Sequence, residues 1–423
     1  MSDWDFVIVG GGAAGVAAAR RVADAKRSVL IVEASTRLGG RAHTVVRSGL
    51  PLDLGCGWLH SAQHNPWARV AEQAGFTIDR DLPRWMDQWR DLGFSREEQR
   101  EAAHAFHAFE QRMRDAPPPS DRAGDLIDPG GKWNAYLETL SGVINGAGLD
   151  RLSVADYLAY MDAATDTDWR VTDGYGTLVA AHAAGLPTAM GTCVASIDTD
   201  GKRLSIETSR GRLTAGHAII TVSTNVLASG AIGLPKAFTD IQHAASRLPL
   251  GDADKLFFEV EDPELLPSDG HLMGNPRASH TGTYTLRPFG RPIIECMVGG
   301  ETARTLCAAG FNDAAAFAID ELADLLGNDW RRRLKLITAS AWARHSFVQG
   351  AYSHALPGCH GARRQLSAPV DPRIRMAGEA CHDTDFSTAH GAYETGIAAA
   401  EALLDPTQDA LSRLPTLRRH PPA

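Results

Sequence analysis

Cysteine is scarce. Six residues in 423 (Cys56, Cys193, Cys296, Cys307, Cys359 and Cys381) show no C-x-x-C pair and no His/Cys set at metal-ligand spacing. That argues against a disulfide framework and a cysteine-built metal centre, so free thiols in a reducing compartment and no bound metal are expected. Long hydrophobic runs are missing too. No stretch approaches the roughly 18 uninterrupted apolar residues of a membrane helix. The apolar run near the N-terminus has no basic residues ahead of it and is broken by glycines, unlike a secretory signal. A cytoplasmic location away from membranes is the expectation. Positive charge is in deficit as well: 42 Lys and Arg against 51 Asp and Glu leave a net −9. This argues against a general nucleic-acid binder and mildly favours cationic small molecules. The single basic cluster, Arg331-Arg332-Arg333, suits a solvated helix end.

Glycine, by contrast, is plentiful, with 41 residues, and its placement near the N-terminus is informative. Phe6-Val7-Ile8-Val9 reads as a strand buried on both faces, and Val29-Leu30-Ile31-Val32 as a second. Between them Gly10-Gly11-Gly12-Ala13-Ala14-Gly15 opens an Ala-rich helix. Gly10, Gly12 and Gly15 form G-x-G-x-x-G where strand becomes helix: a tight turn, close approach of a pyrophosphate, and close helix–strand packing. The helix N-terminus offers N–H groups and a positive dipole to the diphosphate. Glu33, ending the second strand ahead of Ala34, can accept hydrogen bonds from an adenosine ribose. A second pair, Gly39-Gly40, followed by Arg41, adds further backbone N–H groups and a guanidinium.

The length argues for two domains. Residues 1–77, 171–232 and 343–404 read as a discontinuous cofactor domain. Residues 78–170 and 233–342 read as two insertions that build a substrate domain, and 405–423 as a poorly ordered tail. Within the first insertion Ser95 and Glu98 form a capping box. Ala102, Phe106, Phe109 and Met113 then fall on one helix face and read as core, with His104 and His107 off it and solvated. Short strands are expected from residue 173 onward, including 194–198, 203–208 and 218–222, and further strands at 255–260 and 292–298. A helix capped by Asn312 and closed by Gly327, and another over 396–404, complete the reading.

In this order the motifs resemble those of the flavin-containing amine oxidases over nearly the whole chain. The resemblance adds Asp53-Leu-Gly55-Cys-Gly57-Trp58-Leu-His60, the segment that passes the flavin ring, whose Trp-Leu-His ending is similar to polyamine oxidases. It adds Gly174-Tyr-Gly176-Thr-Leu178, and Val194 as the residue whose backbone contacts the adenine. Met376-Ala-Gly378-Glu379, with Thr388-Ala389-His-Gly391 after it, resembles the C-terminal FAD motif, in which a helix N-terminus faces the flavin. The implied fold is α/β: a Rossmann-like FAD-binding domain of GR2 type with an inserted α+β substrate domain of mixed sheet flanked by helices.

The resemblance also implies roles. Lys255, in Gly251-Asp-Ala-Asp-Lys255, matches a lysine that reaches flavin N5 through a water, Trp342 one that stands beside the flavin, and Tyr352 one wall of an aromatic cage. The opposite wall falls on Thr388, so a two-tyrosine cage is broken. Ala351 stands where monoamine oxidases carry a flavin-bonded cysteine, so non-covalent FAD is implied. His60 would bind substrate or shuttle protons. Implied, then, are a small-molecule amine, polyamines first, and O2 as partners, with imine and peroxide as products. The open alternatives are a desaturase or porphyrinogen-type oxidoreductase and a non-catalytic flavin-binding protein; monomer and homodimer stay undecided.

Overall fold

The computed structural model describes residues 2–85 and 87–405. Its first sheet runs Thr188–Ala189, Val29–Val32, Ser2–Val9, Gly211–Ile220, Leu204–Thr208, Val194–Asp198, with Ile374–Met376 also paired to Gly211–Ile220. Ser2–Val9 is flanked in parallel by Val29–Val32 and Gly211–Ile220. Its residues alternate between two cores. Phe6 and Ile8 join the helices Ala13–Asp24 and Ala389–Leu404 on one face; Val7 and Val9 join Leu204, Ile241 and Leu248 on the other. Burial on both faces is why the strand is apolar without alternation. The two helices meet across backbone: a Cβ on Gly396 would lie 2.2 Å from the Ala14 carbonyl oxygen.

The second sheet has the order Gly270–Met273, Thr283–Leu286, Ile293–Gly299, Ala253–Val260, Leu334–Ala339. Here the strands alternate between core and cavity. Leu256, Phe258, Tyr284, Ile294, Cys296 and Val298 pack under the helix Phe311–Leu326. The opposite face presents Lys255, Glu295, Met297, Thr283 and Thr285 to a large cavity. The named strands of this sheet pair antiparallel, and Gln88 of the first insertion adds a parallel bridge to His271 at its edge, giving the mixed pairing expected of it.

Helices Arg96–Asp115, Asn134–Asn145 and Val154–Ala163 share a core of Phe109, Met113, Leu137, Leu149 and Tyr157. The Ser95–Glu98 capping box forms. His104 and His107 are exposed, and Phe106 is only partly buried because it also faces the cavity. The basic cluster ends the short helix Trp330–Arg333 and pairs with Asp320, Asp329 and Asp262.

Several local expectations change. The segment after residue 173 begins with a helix, Tyr175–Ala181, because Asp53 accepts from the Tyr175 and Gly176 amides at 2.9 and 3.2 Å and fixes its first turn. Asn312 is not the cap of its helix; Gly310, at φ 106°, both ends the preceding helix and starts this one. The last helix begins at Ala389 rather than 396, because Thr388 caps it by accepting from the Gly391 amide. The strand expected from 218 starts at Gly211. Of the tail, all but Asp405 lies outside the described residues.

Candidate active site

A cavity of about 1350 Å³ runs from the glycine-rich loops of the first sheet to the cavity face of the second. At one end it is lined by Gly10, Gly12, Ala14, Glu33 and Ala34, with Gly39, Gly40, Arg41 and Val194 beside them. In the middle stand Gly55, Gly57, Trp58 and Trp342, then Gly378, Glu379, Thr388 and Ala389. His60, Lys255 and Tyr352 line it as well. Gly15 does not. Its Cβ would lie 1.9 Å from the Gly10 carbonyl oxygen, so its part is to let helix and strand touch.

The lining fits a flavin dinucleotide. No side chain caps the helix Ala13–Asp24, whose N-cap is Gly12, so its first-turn N–H groups are left for an anion. Glu33 accepts from the Gly11 amide through Oε2 and from the Ser35 amide through Oε1, both at 2.7 Å. Each oxygen keeps a lone pair for a ribose hydroxyl. Glu379 is buried and heavily engaged. It takes Arg41 Nη1 at 2.6 Å, Ser353 Oγ at 2.6 Å and the Ser387 amide at 2.8 Å. Burial alone would raise its pKa; the Arg41 guanidinium and Ser353 outweigh that and hold it below the ordinary carboxylate range. Arg41, expected on phosphate, therefore spends Nη1 on Glu379 and the Ala351 carbonyl.

Lys255 is the third residue of its strand, is buried, and puts Nζ 2.8 Å from Glu295 Oε1. Burial works against its charge, but Glu295 more than compensates and the pKa lies above the ordinary lysine value. Nζ also approaches the Gly57 backbone, at 3.2 Å from where a Cβ would stand. Trp342 donates Nε1–H to the Leu54 carbonyl at 2.9 Å, and its own amide donates to Asp254 at 3.0 Å. Burial pushes the Asp254 carboxyl up to about 6. Tyr352 donates its hydroxyl to the Val143 carbonyl, at the end of an insertion helix. The Thr388 hydroxyl donates to the Asp385 carbonyl at 2.6 Å besides capping its helix, so it is committed to the fold. His60 places Nδ1 2.9 Å from Asp168, whose same oxygen accepts the Ser61 amide at 3.2 Å.

Sequence reasoning missed Glu295, Asp168, Asp254 and Ser353. Glu295 had a usable signal, since strand alternation sets it on the same face as Met297, but the register that brings Met297 opposite Lys255 comes only from pairing.

Comparison with known proteins gives the family and the fold. The profile of the family described as flavin containing amine oxidoreductase matches residues 13–88 and 65–404. The chain belongs to that family. Polyamine oxidase 2 of Arabidopsis thaliana is 26% identical over 431 residues, spanning 93% of this chain and 87% of that one. Polyamine oxidase 1 of Oryza sativa subsp. japonica is 27% identical over 499 residues, spanning 94% and 96%. Wild-type putrescine oxidase solved with putrescine shares the fold, with a TM-score of 0.76 at 18% identity over 97% of this chain and 99% of that one. This amine oxidoreductase is thus an FAD-dependent enzyme acting on CH–NH or CH–NH2 groups. Among the described residues no helix is long and apolar enough to cross a membrane.

Proposed function

We propose that this chain oxidises a primary or secondary amine at the carbon bearing nitrogen, with O2 as final acceptor. The observation that carries the reading is a single cavity lined both by the glycine loops and by Lys255, Tyr352 and His60. The first-sheet segments would hold FAD, with the first helix N-terminus on its diphosphate, Glu33 on its ribose and Glu379 near its ribityl chain. The segments 78–170 and 233–342 would hold the amine. FAD, when bound, would supply the redox chemistry, accepting a hydride equivalent from the amine's α-carbon and passing the two electrons to O2 to give H2O2.

The chain's own part is to orient, exclude water and hold charge. Tyr352 and Trp342 wall the cavity, and Lys255 holds a fixed cation where negative charge develops. With Nδ1 on Asp168, His60 keeps Nε2 to accept a proton from the incoming ammonium or to bind the amine. The lost hydride and proton leave an imine, which water hydrolyses to a carbonyl and an amine. FAD is read as non-covalent: Ala351 has no thiol, and burial pushes the nearby Cys56 thiol up to about 12, far from a thiolate. The six free thiols fit a reducing, cytoplasmic setting.

Polyamines come first in the assay because Trp58-Leu59-His60 and the relatives named above point there. The test is an amine panel scored for peroxide, with anaerobic bleaching of the yellow holoenzyme. Activity should rise with pH until the bound amine is neutral, since a protonated amine does not yield hydride. A flavoprotein that no amine bleaches would end the reading. Lys255→Met should leave FAD bound and slow flavin reduction or reoxidation about tenfold or more. Unchanged stopped-flow traces would remove Lys255 from the site.

A further inference from the structure

The strand Ala253–Val260 carries two neighbouring charged residues that face opposite ways. Lys255 lines the cavity, whereas Asp254 turns to the other face of the sheet, the side of Leu256 and Phe258. A carboxylate is out of place there on hydrophobic grounds, and burial pushes it up to about 6. Among the described residues no cation pairs with it. The groups that reach it are Asp252, which Arg304 holds, the Cys307 thiol from the helix Gly300–Ala309, beside which Arg344 lies, and the Tyr352 phenol.

What the carboxylate does have is two donors on one oxygen. Ser340 Oγ donates to Asp254 Oδ1 at 2.7 Å and the Trp342 amide donates to it at 3.0 Å. Both donors lie just past the end of the neighbouring strand, Leu334–Ala339. The turn that follows, Trp342–Arg344, starts from Ala341, which has no side chain to cap it. Asp254 takes the Trp342 amide in its place. Ser340 Oγ in turn accepts the Lys255 amide at 2.9 Å, and the Ser340 amide donates to the Lys255 carbonyl at 2.9 Å. One buried oxygen thus ties the backbone of Lys255 to that of Trp342. The indole is fixed at its other end by the Leu54 carbonyl and lies on Gly55, where a Cβ would stand 3.1 Å from Cζ2. A shift of the Trp342 amide therefore tilts the ring.

We propose that Asp254 is a positioning residue: from the far side of the sheet its carboxylate fixes Lys255 and Trp342 relative to one another and to the flavin. This rests on the amine-oxidase reading and adds to it a group that touches neither cofactor nor substrate. Ionised, the carboxylate holds its donors by charge-assisted bonds; protonated, it holds them at about half that strength. Its pKa stands above the ordinary aspartate value, so the grip is firm at higher pH and slackens as pH falls through about 6.

The test uses no amine, so its failure is separate from failure of the amine-oxidase reading. Holoenzyme is photoreduced, its reoxidation by O2 is followed by stopped flow across the pH range, and flavin Kd is read from the fluorescence released on dilution. Wild type should show an inflection in reoxidation rate at about pH 6. Asp254→Asn keeps the acceptor without the charge. At about pH 8 it should reoxidise within about twofold of wild type, and it should lack the inflection. Asp254→Ala should reoxidise about tenfold more slowly and hold FAD about tenfold more weakly. A loaded Asp254→Ala protein with wild-type rate and affinity would overturn the proposal. So would an inflection that survives in Asp254→Asn, or an Asn variant no faster than the Ala one. If Asp254→Ala fails to load, Ser340→Ala removes the link to Lys255 and leaves the carboxylate on Trp342. Reoxidation slower by about threefold or more is then expected, and an unchanged rate counts against the proposal.

Discussion

Asp156→Ala is expected to destabilise the protein by about 3–5 kcal/mol, enough to leave little of a typical margin of stability. Asp156 and Arg363 are each about 1% exposed, and the guanidinium meets the carboxylate through Nε and Nη2, both at 2.7 Å. The pair joins the insertion helix Val154–Ala163 to the segment Ala362–Ser367, and Asp156 also accepts the Ala355 amide at 2.9 Å. Removing the carboxylate leaves a buried guanidinium over the Phe386 ring with only neutral acceptors, Ser353 and the Ala380 carbonyl. Denaturant unfolding measures the loss. Replacing both partners, as Asp156→Leu with Arg363→Met, should recover much of it, because no lone charge then stays buried.

The pair also sets an acid limb. Burial would raise the Asp156 pKa, but Arg363 overrides it and holds the carboxyl at about 2. A depressed carboxyl pKa contributes stability that is complete above the unfolded value, about 4. That contribution is lost as pH falls through the folded one. Wild type should therefore weaken steeply between about pH 4 and pH 2, and Asp156→Asn should show a shallower limb over the same range. Equal slopes would mean that other carboxylates govern acid unfolding.

Gly15→Ala should yield a protein without flavin. The new Cβ would lie 1.9 Å from the Gly10 carbonyl oxygen and 3.0 Å from Thr221 Oγ1, which itself donates to the Val9 and Gly10 carbonyls at 3.0 and 3.1 Å. The clash is with backbone, so no rotamer relieves it, and helix and loop must separate. Overpacking of this kind costs about 1–3 kcal/mol or more, here spent in distorting the loop that would cradle the diphosphate. Gly12→Ala makes the informative contrast. Its Cβ would have no neighbour nearer than 3.9 Å and Gly12 lines the cavity, so the apoprotein should melt like the wild type. FAD affinity should nevertheless fall about tenfold or more, by steric exclusion alone. Flavin-to-protein ratio and apoprotein Tm separate the two cases; a fully yellow Gly15→Ala protein would contradict the packing argument.

The glycine loops were readable because their constraint is local. A turn that must pass close to a helix and leave N–H groups open tolerates few residue types, and the same tetrapeptides would say so in any chain. Ser95 and Glu98 were readable for the same reason: cap and first turn are three residues apart. Asn312 misled, because an acceptable cap residue lay two positions inside a helix that Gly310 had already begun. The start of the last helix was placed late because its alanine and glycine residues give a weak periodic pattern, whereas the Thr388 hydroxyl fixes the boundary through Asp385 and Gly391.

By itself the sequence determined the glycine-rich strand–turn–helix, the absence of a cysteine framework, and the burial of the first strand on both faces, all consequences of steric and hydrophobic rules within a few neighbouring residues. Only the tertiary structure decided which charges meet. Lys255 with Glu295, His60 with Asp168, Arg41 with Glu379 and Arg363 with Asp156 are 40, 108, 338 and 207 residues apart. An ion pair leaves no imprint on the sequence between its partners; strand register and helix docking bring them within reach.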